Sequence, residues 1–138
     1  MTDTDQIRAA RFTAGKQVLD AIDGEAGRKV IDSLADIAPE LGHQIVAWGF
    51  GDIYARPDLQ PAQRQLVTLG ALTALGGCEA QLEVHIGAAL NVGLSPQEIT
   101  ETFLHTSVYC GFPKALNAVA VARTVFTERD LIPEPDPL

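Results

Sequence analysis

The chain has 138 residues, enough for one domain that buries roughly two-thirds of the surface its unfolded form exposes, and with 46% hydrophobic and 20% charged residues it is not a disordered composition. Ten Lys+Arg against 18 Asp+Glu leave a formal net charge of -8, which repels phosphate backbones and anionic lipid and so excludes nucleic acid and membrane surfaces as partners. No apolar run reaches the roughly 18 residues of a membrane span, Met1 to Asp5 has no signal-peptide character, and Cys78 and Cys110 are too few for a disulfide framework, so a cytoplasmic protein is expected.

Helices are predicted over about 5–20, 25–36, 39–54, 61–76, 79–92, 96–110 and 113–129, and the expected class is all-α. Pro39, Pro61, Pro96 and Pro113 each precede an Ala/Leu-rich segment, as proline does in the first helical turn, where its missing N–H has no intrahelical partner anyway. Ser95-Pro96-Gln97-Glu98 reads as a capping box, and Gly93 just upstream suits the end of the preceding helix. Leu82, Ile86, Ala89 and Leu90, and likewise Ile99, Phe103 and Leu104, recur at helical rather than strand spacing. Residues 65–78 carry no charge, so the helix within them is expected to be buried nearly all round, inside the protomer or between protomers of a homo-oligomer. The whole chain, 1–138, reads as a single domain with its core at about 11–126 and an extended tail over 128–138.

Polar chemistry is concentrated between Arg64 and Lys114. Those 49 residues contain no Lys or Arg, yet hold His85, His105, both cysteines, Tyr109 and four glutamates. Cys78, Gln81 and His85 fall on one side of a helix, and Glu101, His105 and Tyr109 form an i, i+4, i+8 row on the next. Two such rows meeting across a helix pair would supply acid, base and hydrogen-bond donors. The ordinary alternative for a single histidine on an apolar helix is a hydrogen-bonded interior residue. A metal centre is not expected, because no HExxH or paired CxxC spacing occurs, and no glycine-rich phosphate loop is present.

Several blocks carry a resemblance. They are Trp48-Gly49-Phe50-Gly51-Asp52-Ile53-Tyr54-Ala55-Arg56-Pro57-Asp58-Leu59, then Arg64 to Leu69, then His85 with Ala89, Asn91 and Gly93, and finally HxSxYxGxP over His105 to Pro113. Together, and in this order, they resemble the carboxymuconolactone decarboxylase family of the alkylhydroperoxidase-like superfamily. The resemblance implies an all-α helical bundle of six to seven helices, commonly assembled as trimers or hexamers. Redox members of the superfamily use CxxC followed by histidine. Here Cys78 keeps the first position and Gln81 replaces the second cysteine, which turns the reading from a thiol peroxidase or disulfide reductase toward the decarboxylase branch. A second departure is Gln65, at a position often Glu across the superfamily.

For the decarboxylase branch the resemblance implies conversion of 4-carboxymuconolactone to 3-oxoadipate enol-lactone in protocatechuate breakdown, or action on a closely similar lactone or keto acid, with ligand binding without decarboxylation as the alternative. The substrate delocalises the electrons left by carbon dioxide into its own lactone carbonyl, so no organic cofactor or metal is required. The protein must stabilise a dienolate and protonate it with a group titrating near neutrality, and His85 is the candidate acid. A dianionic substrate needs cations, which the polar hairpin lacks. Arg56 and Arg64 are the expected carboxylate partners, with Lys114 a third choice, since a guanidinium binds a carboxylate bidentately. The alternative for Arg56 is a surface ion pair with Asp52 or Asp58. Tyr54, Tyr109 and Glu79 are expected to orient the lactone or tune His85, and Trp48 and His105 to contribute to substrate binding.

Overall fold

The computed structural model describes residues 1–132, 134, 135 and 137. Among them every regular element is helical: α1 (Asp3–Ile22), α2 (Gly24–Ser33), α3 (Pro39–Gln44), a π-helical segment (Ile45–Tyr54), α4 (Pro61–Leu75), α5 (Glu79–Asn91), α6 (Pro96–Cys110) and α7 (Phe112–Glu128). The chain divides into two compact units, Met1–Pro61 and Ala62–Leu138. No described helix is long and apolar enough to cross a membrane.

In the first unit, α1 opens on a capping box. Thr2 Oγ1 accepts from the Asp5 N–H at 3.2 Å while Asp5 Oδ2 accepts from the Thr2 N–H at 3.0 Å. Pro39 begins α3 as expected, but the helix predicted over 39–54 changes winding at Ile45, and its last bond runs from the Ala55 N–H to Phe50 O, five residues back, at 3.2 Å. This segment packs along α1 through glycine. A Cβ on Gly15 would lie 2.0 Å from Val46 O, and one on Gly51 would lie 3.2 Å from the Gly15 Cα, so the two backbones meet where neither carries a side chain. Arg8–Glu40 and Arg11–Asp52 ion pairs flank the seam, and Phe12 stacks on His43 with ring centroids 5.5 Å apart.

The second unit is built around one apolar cluster drawn from all four of its helices: Leu69 from α4, Leu82, Ile86 and Ala89 from α5, Ile99 and Phe103 from α6, and Ala118, Ala122, Val125 and Phe126 from α7. Alanine at 115, 118 and 122 keeps one stripe of α7 small, which lets it lie close to its neighbours. The corner between α5 and α6 forms as the sequence predicts. Ser95 Oγ accepts from the Glu98 N–H and Glu98 Oε1 from the Ser95 N–H, both at 3.1 Å, after Gly93 at φ 98°.

Two expectations are narrowed here. Only Gln65, Leu69 and Thr73 of α4 are buried, one stripe at i, i+4, i+8, while Val67, Ala71, Ala74 and Leu75 are exposed, so the uncharged helix is not enclosed within the protomer. The tail expected over 128–138 also begins later than predicted, and part of it lies outside the described residues. Glu128 ends α7, the Leu131 N–H turns back to Phe126 O at 2.8 Å, and Arg129 Nη1 donates to Asn91 Oδ1 at 3.2 Å.

Candidate functional site

His85 sits in the middle of α5, one residue before the fully buried Ile86, and is itself half-buried. Its Nδ1 lies 3.1 Å from Oε1 of Gln65, which projects from the first turns of α4 and has no exposed surface. Burial removes the water that would stabilise an imidazolium, and with no charged partner to compensate, the ring is pushed down from 6.5 to about 4. Burial thus favours the neutral imidazole, where the sequence-based expectation is an acid titrating near neutrality. A dianion brought beside the ring would favour its protonated form again.

The other residues expected beside His85 are distributed differently. Cys78 is the residue before α5, half-buried, with Sγ donating to Gly76 O at 3.4 Å. Gln81 is exposed, as is Glu79, whose place in the first turn of α5 suits the helix dipole. Glu101, His105 and Tyr109 do share a face, as their spacing predicts, and line a groove of about 730 Å³ with Leu66, Gly70 and Ala74 of α4. The His105 and Tyr109 rings are 5.5 Å apart. Yet the two polar rows use different sides of α4. His85 meets the stripe of Gln65, whereas His105 and Tyr109 face positions 66, 70 and 74, one residue and about 100° further round. Within a protomer they do not converge.

Arg64 is half-buried in the first turn of α4, directly before Gln65. Lys114 is engaged elsewhere, its Nζ donating to Ala74 O at 2.8 Å over the C-terminal end of α4, a favourable place for a cation. In the first unit, Tyr54 and Arg56 line a groove of about 560 Å³ together with Gln17, Val18 and Pro57. Arg56 Nη2 pairs with Asp58 Oδ2 at 3.1 Å, the turn contact named as its alternative, while Asp52 pairs with Arg11. Tyr54 stacks on Phe50 at 4.9 Å, and Trp48 stands exposed on the π-helical segment. Both cysteines are free, and among the described residues no three His, Cys, Asp or Glu side chains converge as metal ligands.

The family model for the carboxymuconolactone decarboxylase family matches residues 39–124, which take in the π-helical segment, His85 and the HxSxYxGxP block. The chain belongs to the carboxymuconolactone decarboxylase family. Among curated relatives of the family, it is 32% identical over 125 residues to the 4-carboxymuconolactone decarboxylase of Acinetobacter baylyi, a match that covers 90% of this chain and 92% of that protein. It is 37% identical over 86 residues to the nitrosuccinic acid decarboxylase of Metarhizium robertsii, covering 61% of this chain and 58% of the relative. An uncharacterized 15.0 kDa protein of Paracoccus denitrificans is 30% identical over 99 residues, covering 71% and 74%.

Two residues stand out that sequence reasoning undervalued. Gln65 figured only as the absence of a proton-relay carboxylate after Arg64, and its own contact with His85 comes from the fold. Asp23, between α1 and α2, is buried with Oδ1 unpartnered, and burial pushes its carboxyl up from 3.8 to about 7. In the sequence an Asp before Gly looks like an ordinary turn residue.

Proposed function

We propose that this protein decarboxylates a carboxylated lactone, 4-carboxymuconolactone to 3-oxoadipate enol-lactone or a closely similar lactone acid, with His85 as the proton donor. The observation that carries this reading is the half-buried His85, hydrogen-bonded to the uncharged Gln65 in a chain of this family, and the names of two curated relatives support decarboxylation as the reaction type. The dianion loses carbon dioxide when the bond to the scissile carboxylate breaks and its electron pair spreads through the ring double bond to the lactone oxygen. The dienolate then takes a proton at carbon. Dianion plus one proton thus becomes carbon dioxide plus a monoanion, and the proton withdrawn from His85 is replaced from water. In this reading the substrate's own negative charge counters the burial that keeps His85 neutral, so the acid forms when the substrate is in place. Arg64, beside Gln65, and Arg56 are the proposed carboxylate partners.

A homo-oligomer, a trimer or hexamer as the family resemblance implies, and a cytoplasmic location belong to the same proposal; the exposed apolar side chains of α4, α6 and α7, among them Val67, Leu104, Val108, Phe112 and Leu116, support burial between protomers. The test follows ultraviolet absorbance and carbon dioxide release from freshly generated 4-carboxymuconolactone, for the wild type and His85→Ala matched for oligomeric mass by light scattering. Turnover by the wild type and a loss of about 10²–10⁴-fold in kcat in the variant are expected. A wild type that releases no carbon dioxide removes this substrate, and an undiminished variant removes His85 from the chemistry.

A further inference from the structure

We propose that Gln65 is the positioning residue of His85: by accepting from Nδ1–H it holds the neutral imidazole in one tautomer and leaves Nε2 as the atom that takes up and gives back a proton. With Gln65 Oε1 facing His85 Nδ1 at 3.1 Å, a hydrogen bond between them requires the hydrogen on Nδ1, because a carbonyl oxygen can only accept. In a neutral ring the other nitrogen is then the bare one. The catalytic use of that nitrogen rests on the decarboxylase reading above, whereas the tautomer rests on the contact alone.

Gln65 has no exposed surface, and its amide Nε2 is buried without a hydrogen-bond partner, a desolvation cost that a Leu or Met of similar size would not incur. The other buried polar side chains described in this unit turn inward on their own helices. Thr73 Oγ1 donates to Leu69 O, Thr106 Oγ1 to Thr102 O and Ser107 Oγ to Leu104 O, at 2.7, 2.7 and 2.6 Å. Gln65 instead reaches from α4 to α5, and its one hydrogen bond is spent on the histidine.

An amide also suits a ring that must cycle its proton. When Nε2 is protonated, Nδ1 still carries its hydrogen and the bond to Oε1 survives unchanged, so the ring keeps its orientation through the cycle. A carboxylate in place of Gln65 would hold the imidazolium and resist giving up the proton. Among the described residues no other charge stands in for it. Gln81, Leu82, Ala88 and Ala89 flank His85 at helical spacing on α5, and Phe103, Ala118 and Ala122, in the core cluster that holds its neighbour Ile86, are likewise uncharged. On α4, Arg64 adjoins Gln65 in sequence and is the nearest cation along that helix.

The measurement is long-range proton–nitrogen correlation on the full-length, ligand-free protein carrying nitrogen-15 histidine, with the His85 signals assigned by comparison with His43→Gln and His105→Gln. At pH 7 the wild type should show Nδ1 protonated and Nε2 bare. Gln65→Met should mix the two tautomers, and Gln65→Glu should move the His85 titration upward and leave the ring doubly protonated at higher pH. If Gln65→Met does not fold, the wild type and Gln65→Glu still decide. A wild-type ring protonated at Nε2, or a titration unmoved in Gln65→Glu, overturns the proposal. Because none of these signals needs turnover, an inactive wild type with a bare Nε2 would sink the lactone reading and leave the role of Gln65 standing.

Discussion

Arg56 shows how a single side chain separates structural from functional roles. Its pair with Asp58 is solvent-exposed on both sides, and such pairs contribute about 0–1 kcal/mol, so Arg56→Ala should unfold within about 1 kcal/mol of the wild type in a urea titration. If Arg56 binds a substrate carboxylate, the same variant raises KM on the order of tenfold while kcat holds, the signature of binding energy shared by ground and transition states. Steady-state kinetics on the lactone would check this, and an unchanged KM would return Arg56 to its turn. His85 is a candidate in the sequence through the family blocks around it, since its place on an apolar helix alone fits an interior residue as well. Its electrostatic state was not legible there, because that depends on what covers the ring and on Gln65 arriving from another helix.

At the scale of elements, the sharpest expectation concerns the glycine seam between α1 and the π-helical segment. Gly15→Ala would drive a Cβ to 2.0 Å from the Val46 carbonyl, a backbone atom that cannot swing aside. A loss of about 3 kcal/mol or more is expected, since overpacking costs roughly 1–3 kcal/mol even where side chains can adjust. Gly49→Ala is the control. Nothing lies within 4 Å of its added Cβ, so it should unfold near the wild type or slightly above it. Removing the Ser95 cap by Ser95→Ala should cost about 1 kcal/mol, measured the same way. Helix spans were readable because prolines, the Ser95 capping box and Gly93 act within a few residues of chain. The switch to π winding was not: over ten residues an apolar pattern does not separate 3.6 residues per turn from a wider helix, and the contact with Gly15 comes from 31 or more residues away in the chain.

For the whole molecule, two buried titratable groups make opposite contributions to stability against pH. His85 has a folded value of about 4 against an ordinary 6.5, so the unfolded chain binds that proton first, and its contribution is full above pH 6.5 and lost as pH falls toward 4. Asp23 has a folded value of about 7 against 3.8, so its contribution is full below pH 3.8 and lost as pH rises toward 7. In denaturant titrations across this range, Asp23→Asn should gain on the wild type as pH rises from 3.8 to 7, and His85→Gln should gain as pH falls from 6.5 to 4. Parallel profiles for variant and wild type would contradict either assignment. Local chemistry in the chain therefore determined the all-α class and the helix spans, because capping, proline placement and apolar period act between near neighbours, and the family blocks singled out His85 as the expected acid. Tertiary structure alone decided that Gln65 meets His85, that His105 and Tyr109 take a different side of α4, that α4 keeps an exposed face, and that Asp23 is buried, because each depends on which surfaces distant segments cover.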